Sequence, residues 1–267
     1  MKSVSIEDAF QSAQSFVARE WRLLIPLAFA LLAVPQLAFN LLAPAELAQA
    51  MVTSDFQRGM AIFEKMPWLS PAAIAAELIT LAGALAITGL ALVPRISVGE
   101  AISLGFKRLF VLVGALLLLS LVILVPVGLL GRVVPLSAVQ MLLLALIFLL
   151  LLLALWIRLI ALPSVIVASR AGPIASIRLA WELSAGAFWP LLGCVLIYSI
   201  GGWVVVMAST YVLGSMLVLL CKALGAATLG PVLAVVIATL MGSLFWAGLH
   251  ILAVALYRQL GGSIRGV

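Results

Sequence analysis

Six stretches of this sequence are nearly free of charge and long enough to cross a bilayer: Trp21–Leu42, Pro71–Val93, Leu109–Leu130, Leu136–Leu162, Phe188–Leu220 and Gly230–Tyr257. A helix needs about 20 apolar residues to traverse roughly 30 Å of hydrocarbon. No water reaches the backbone there, so each run must close its own N–H and C=O groups by coiling into a helix. The expected class is therefore an all-α, polytopic membrane protein with six transmembrane helices. The fifth run exceeds what a bilayer requires. It is expected to tilt, or to bend at Gly201-Gly202, because glycine pairs are common kink sites.

Composition supports lipid as the solvent. Apolar residues make up 66% of the 267 positions and charged residues 9%, against about 45–50% and 25% in a soluble domain. The formal charge of +6 does not point to nucleic acid. The basic residues are scattered through short connections, with no basic stripe interleaved with aromatics. Their distribution instead sets orientation. One set of connections holds Lys2, Arg19, Arg22, Arg95, Lys107, Arg108, Arg170, Arg178, Arg258 and Arg265, with Arg158 at the same end of span four. The opposite set holds Arg58, Lys65, Arg132 and Lys222. The positive-inside rule assigns the richer set, and with it both termini, to the cytoplasm. Residues 1–20 are mostly polar and carry no apolar signal-peptide core, so no cleavable leader is expected. Cys194 and Cys221 fall on one predicted span, roughly 40 Å apart at about 1.5 Å per residue. That separation forbids a disulfide within the chain.

The longest connection, Ala43–Ser70, lies on the outer side. Leu47, Met51, Phe56, Met60 and Phe63 alternate there with charged residues, and one or two short helices on the outer leaflet are expected.

An internal repeat organises the rest. Ser5-Ile6-Glu7-Asp8 precedes span one and Ser97-Val98-Gly99-Glu100 precedes span three. In each, a serine N-cap is followed three residues later by an acid, the pattern of a capping box. Ile6, Phe10, Ala13 and Val17 form an apolar stripe after the first, and Val98, Ile102, Phe106 and Leu109 after the second. Gly172-Pro173 opens a third segment before span five, with proline suited to the first helical position. Its stripe is Ile174, Ile177 and Trp181, widened by Leu179 and Leu183, with Ser176, Arg178 and Glu182 opposite. This segment is expected to pack against the bundle. The chain thus reads as a single transmembrane domain of three tandem units, about 1–94, 95–168 and 169–267, each an amphipathic cytoplasmic-side helix followed by two spans.

Residues 158–189 carry a further signal. Arg158 closes a span, Pro163 and a short loop follow, Gly172-Pro173 starts a helix, and Ala180-Trp181-Glu182-Leu183 leads to Gly186-Ala187-Phe188-Trp189. Together with Ser97–Phe110, this stretch resembles the glycerophosphoryl diester phosphodiesterase membrane domain family and related YciC-like inner-membrane proteins. Alanine 180 stands where that family usually has serine, and Ser169-Arg170 stands where it has an acid. The resemblance implies a bacterial inner-membrane protein. It implies no activity for the membrane part, and no soluble phosphodiesterase barrel is expected after Tyr257.

Five residues are candidates for lipid or ion binding. Arg158 is either an interface anchor beside Trp156 or a partner for a lipid phosphate or for Glu182. Arg178 and Glu182, four apart, form either a local ion pair or part of a headgroup pocket. Glu77 lies inside span two, where an acid is expected to face the bundle interior or water as a packed carboxyl or a proton or ion site. His250, the single histidine, is expected to hydrogen-bond a neighbouring helix. No metal set, cofactor loop or catalytic constellation accompanies these residues. The expected function is a non-enzymatic scaffold or lipid-headgroup-binding module, with membrane lipids, and other membrane proteins or a second copy, as the candidate partners. The alternative is a transporter or lipid translocator built on the repeated units and the proline-interrupted spans. In a chain with Cys194 and Cys221 replaced by alanine, Lys107→Cys and Phe56→Cys are expected to label from opposite faces of the membrane. Labelling of both from one face overturns this topology.

Overall fold

The computed structural model describes residues 4–262, except 45, 48–49, 51–52, 54, 134–137 and 170. Among the described residues every regular element is a helix, and six helical rods are long and apolar enough to cross a membrane. The chain is an integral, multi-pass membrane protein.

Helix α1 (Ile6–Ala28) passes through a π-helical turn (Phe29–Ala33) into α2 (Val34–Leu42). Pro26 and Pro35 stand on either side of that turn. Each lacks the N–H a straight α-ladder would use, and the wider winding accommodates the break. Helix α3 (Phe56–Lys65) sits in the long connection, capped by Asp55, whose carboxylate accepts from the Arg58 backbone N–H at 3.0 Å. Part of the helical structure expected between Ala43 and Ser70 lies outside the described residues. Then follow α4 (Leu69–Leu92), α5 (Val98–Val133), α6 (Ala138–Arg158), α7 (Leu162–Ala168), α8 (Pro173–Leu183), α9 (Phe188–Ala223) and α10 (Leu229–Gln259). In the turn between α4 and α5, Arg95 takes a left-handed conformation at φ 61°.

The predicted caps form. Ser97 and Glu100 make a reciprocal box: the Ser97 N–H donates to Glu100 Oε2 at 2.9 Å, and the Glu100 N–H to Ser97 Oγ at 3.2 Å. Ser5 Oγ accepts from the Asp8 N–H at 3.2 Å. The Ser5 N–H, however, donates to Gln259 Oε1 at 3.1 Å, so this box closes on α10 instead of on itself. Gly172 caps α8 with Pro173 in the first turn.

The amphipathic segments differ from expectation. The amphipathic segments after Ser5 and Ser97 are not separate helices: α1 and α5 run unbroken from them into their spans. Only α8 stands apart, divided from α9 by a turn in which Gly186 has φ 82°. Its buried face is Ser176 and Ala180, while Ile174 and Trp181 are exposed. Small side chains let α8 lie close against its neighbours, and Ile177, Leu179 and Leu183 pack half-buried on the core beside them. Helix α9 keeps its helical structure through Gly201-Gly202, where Gly202 receives the Phe245 ring and Gly201 faces open space.

The most extensive packing runs both across and within the three expected units. Helix α5 packs most extensively on α4, and α9 on α10, whereas α6 leans on α9. The centre is α4, buried at every position from Ala82 to Leu92. A segment buried on all sides needs small residues to admit neighbours. Gly83 meets Leu31 of the π-turn, Gly89 meets Leu104, and Gly105 of α5 lies against Ala82 and Ala86. The short helix α7 plugs the same region, with Val165, Ile166, Val167 and Ala168 buried. Two bonds close this end: Arg258 Nη2 donates to the Ala91 carbonyl at 2.7 Å and the Leu92 carbonyl at 3.3 Å. Those are free C-terminal carbonyls of α4, where a cation also suits the helix dipole. Towards the other end, α5, α6, α9 and the first half of α10 present exposed Leu, Val and Ile.

A Cβ at Gly105 would strike the Ala82 carbonyl oxygen. Gly105→Ala is therefore expected to destabilise the bundle by about 1–3 kcal/mol through overpacking, despite a helix-propensity gain of about 1 kcal/mol. Gly201→Ala, with nothing within 4 Å, is expected to be neutral or slightly stabilising. Thermal unfolding midpoints in mild detergent separate the two, and equal midpoints contradict this packing.

Candidate functional site

The end of α6 brings a charge to a crowded corner. Its last residue, Arg158, is half-buried. Two aromatic rings take its guanidinium: the Trp181 ring of α8 lies 5.0 Å away and the Phe188 ring of α9 lies 5.9 Å away, measured to their centroids. A planar cation over ring faces gains from the ring quadrupole and keeps its edges free for oxygen ligands. Three helices thus meet on one side chain. Of the alternatives for Arg158, the pair with Glu182 does not form among the described residues.

Glu182 pairs within its own helix. Arg178 Nε donates to Glu182 Oε1 at 2.8 Å, with the side chains 82% and 56% exposed. An exposed pair at this spacing contributes only about 0.2–0.5 kcal/mol, so it costs little for either partner to turn to a ligand. The pair also borders a hollow. Leu118, Leu119 and Val122 of α5 form one wall; Ile174, Ile177, Arg178, Trp181 and Glu182 of α8 form the other, enclosing about 580 Å³. A second hollow of about 550 Å³ adjoins it at Leu118, lined by Gly114, Leu117, Ser120, Leu121, Leu124, Val125 and Pro173. Together they follow α5 from Gly114 to Val125, about 16 Å at 1.5 Å per residue. The result is an apolar trough with a guanidinium, a carboxylate and an indole along part of its rim.

Glu77 is elsewhere. It projects from α4 and is exposed, which removes the bundle interior from the two settings expected for it. Gln36 Nε2 of α2 donates to Glu77 Oε2 and to Thr80 Oγ1, both at 3.4 Å. The physical reason is packing: the interior face of α4 is taken by Ala76, Ala82 and Gly83, small residues against which neighbours close. His250 is partly buried on α10, and among the described residues it has no hydrogen-bond partner, so the expected tie to a neighbouring helix is not made. Among the described residues no group of three metal-ligating side chains forms.

The structure therefore brings together Arg158, Arg178 and Glu182 around Trp181 and leaves Glu77 and His250 on other helices. Trp181, Phe188 and the Leu118 wall were missing from the sequence-based set. The position of Trp181, three residues from Arg178 and one from Glu182, was a usable signal; the Leu118 wall, deep in a uniform leucine run, gave none. No family model, no curated protein and no solved structure matches this chain.

Arg158 and Trp181 are expected to be energetically coupled. A double-mutant cycle of Arg158→Ala and Trp181→Ala, read by unfolding in detergent, should return about 0.5–2 kcal/mol of interaction energy. A value near zero means the ring and the cation are neighbours without consequence.

Proposed function

We propose that this protein is a non-catalytic lipid-binding scaffold of a bacterial cytoplasmic membrane, with both termini on the cytoplasmic side. One observation carries the reading: the trough between α5 and α8 pairs an apolar wall with a charged rim at Arg178 and Glu182. That combination suits an amphiphile. An acyl chain displaces nothing polar along Leu118, Leu119 and Val122, and a phosphate finds a guanidinium that forms charge-assisted hydrogen bonds. Arg158, half-buried over Trp181, adds a second cation to that corner. The concentration of Lys and Arg in one set of connections supports the orientation. The resemblance of residues 158–189 to the phosphodiesterase-associated membrane domain supports an inner-membrane location and supplies no reaction.

The transporter alternative draws no particular support from the bundle interior. Among the described residues the buried polar side chains are Thr88, Ser164, Ser176, Ser184 and Ser243. A polar path for ions or headgroups normally uses ionisable side chains facing that interior.

Native mass spectrometry of the gently extracted chain tests the proposal. The wild type should retain phospholipid. Arg178→Ala should weaken retention by roughly tenfold, the equivalent of about 1.4 kcal/mol, and Leu118→Trp should displace lipid by filling the trough. Ile200→Ala, on an exposed face of α9, should change nothing. Equal retention in all four removes the basis for this function.

A further inference from the structure

The polar cluster on α2 and α4 has no role in the lipid trough. Trp68, exposed where α4 begins, marks an interfacial level because indoles settle at the headgroup boundary. Glu77 lies about 14 Å further along α4 and Gln36 about 9 Å in from the end of α2, at about 1.5 Å per residue. Both are therefore within the apolar layer, and Glu77 is exposed there. Among the described residues Glu77 has no ion-pair partner. Its internal bonds are long: the Gln36 amide reaches one carboxylate oxygen and the Thr80 hydroxyl at 3.4 Å each. The other carboxylate oxygen and the Gln36 carbonyl remain available. One turn beyond Gln36, on the same face of α2, stands Asn40, exposed and without a hydrogen bond among the described residues.

An acid left facing lipid is costly, and such residues pair with another polar group. We propose that Glu77, Gln36 and Asn40 form a self-association site, against which the same face of a second copy of this chain docks. Self-complementarity identifies the occupant. The patch carries unused donors in the Asn40 amide and unused acceptors in the Glu77 carboxylate and the Gln36 carbonyl. A twofold axis places the donors of one copy against the acceptors of the other, as an isologous interface requires. A partner helix bearing a lone cation would satisfy Glu77 and leave both amides unmatched. In hydrocarbon, side-chain hydrogen bonds between helices are a principal source of association.

The test uses the full chain with Cys194 and Cys221 replaced by alanine and a fluorophore at Gly59→Cys, a position with open space around it. Energy transfer between donor- and acceptor-labelled copies is followed as the protein is diluted in phosphatidylcholine vesicles. Association should weaken at least about tenfold in Glu77→Leu and in Asn40→Leu, because each change is felt twice across a twofold interface. Glu77→Gln, which keeps hydrogen-bonding capacity without charge, should stay within about threefold of the parent. As an independent readout that leaves the polar residues intact, Ile74→Cys, exposed one turn from Glu77, should form an intermolecular disulfide in membranes, and Ile200→Cys should not. A parent chain that stays monomeric at every dilution overturns the proposal. So does unweakened association of Glu77→Leu, or a Glu77→Gln variant that fails as badly as Glu77→Leu, since the latter assigns the carboxylate to a cation on a different partner.

Discussion

Close approach around α4 is the contact on which the bundle depends. Between helices in lipid there is no hydrophobic drive to association, because the surrounding tails are as apolar as leucine. What remains is dense van der Waals contact, and it requires backbones to come near. Gly83, Gly89 and Gly105, with Ala82, Ala84 and Ala86, supply the space. Leu31 enters at Gly83 from a π-turn whose wider winding is itself set by the neighbouring prolines. The irregular turn and the glycine are thus two halves of one fit. The same device recurs between α9 and α10. Gly230 faces Val218, Gly214 faces Ala234, and Gly248 makes room for Tyr198, whose hydroxyl donates to the Phe245 carbonyl at 2.7 Å.

That packing is uneven along the helices, and the unevenness has a consequence. At the end where α1 begins and α10 finishes, α4, α7 and the last turns of α10 bury Leu, Ile, Val and Ala on all sides. Arg258 and Gln259 then tie this end together, one on the carbonyls of α4 and the other on the N–H of Ser5. The opposite halves of α5, α6 and α9 show their leucines outward. The same helices are thus packed against protein at one end and open to the bilayer at the other. The trough at Gly114–Val125 lies where α5 leaves the closed end.

Much of this was legible in the sequence, and for identifiable reasons. Run length determines a transmembrane helix because the backbone has no alternative in oil, so the six spans were readable. The caps at Ser5, Ser97 and Gly172-Pro173 were readable because they are local. What failed was everything that depends on a neighbour. The stripe Ile174–Ile177–Trp181 was legible only in part: Ile177, with Leu179 and Leu183, packs against the core, while Ile174 and Trp181 are exposed and Ser176 with Ala180 is buried. The continuity of α1 and α5 was likewise hidden, because an amphipathic stretch reads the same whether it lies across a span or extends one. Glu77 was legible as a candidate, and its partner could have been found by counting. Gln36 is six residues back from the end of α2 and Glu77 eight residues into α4, which puts them at similar depth in an antiparallel pair.

The distribution of polar groups argues for a protein that works at its periphery. Buried polar side chains among the described residues are serines and a threonine. Thr88 and Ser243 return their hydroxyls to their own helices, on the carbonyls of Ala84 and Leu240. Ser184 does the same on the Trp181 carbonyl, whereas the buried hydroxyls of Ser164 and Ser176 have no hydrogen-bond partner among the described residues. The ionisable groups stand outside that core: Arg178 and Glu182 on the rim of a trough, Arg158 between rings at a three-helix corner, Glu77 on an open face. Each is met in part from within the chain, by Glu182, by two aromatic rings or by Gln36, and keeps an exposed side. The interior, closed by glycine and alanine contacts, keeps the scaffold rigid enough for those outward groups to hold their positions.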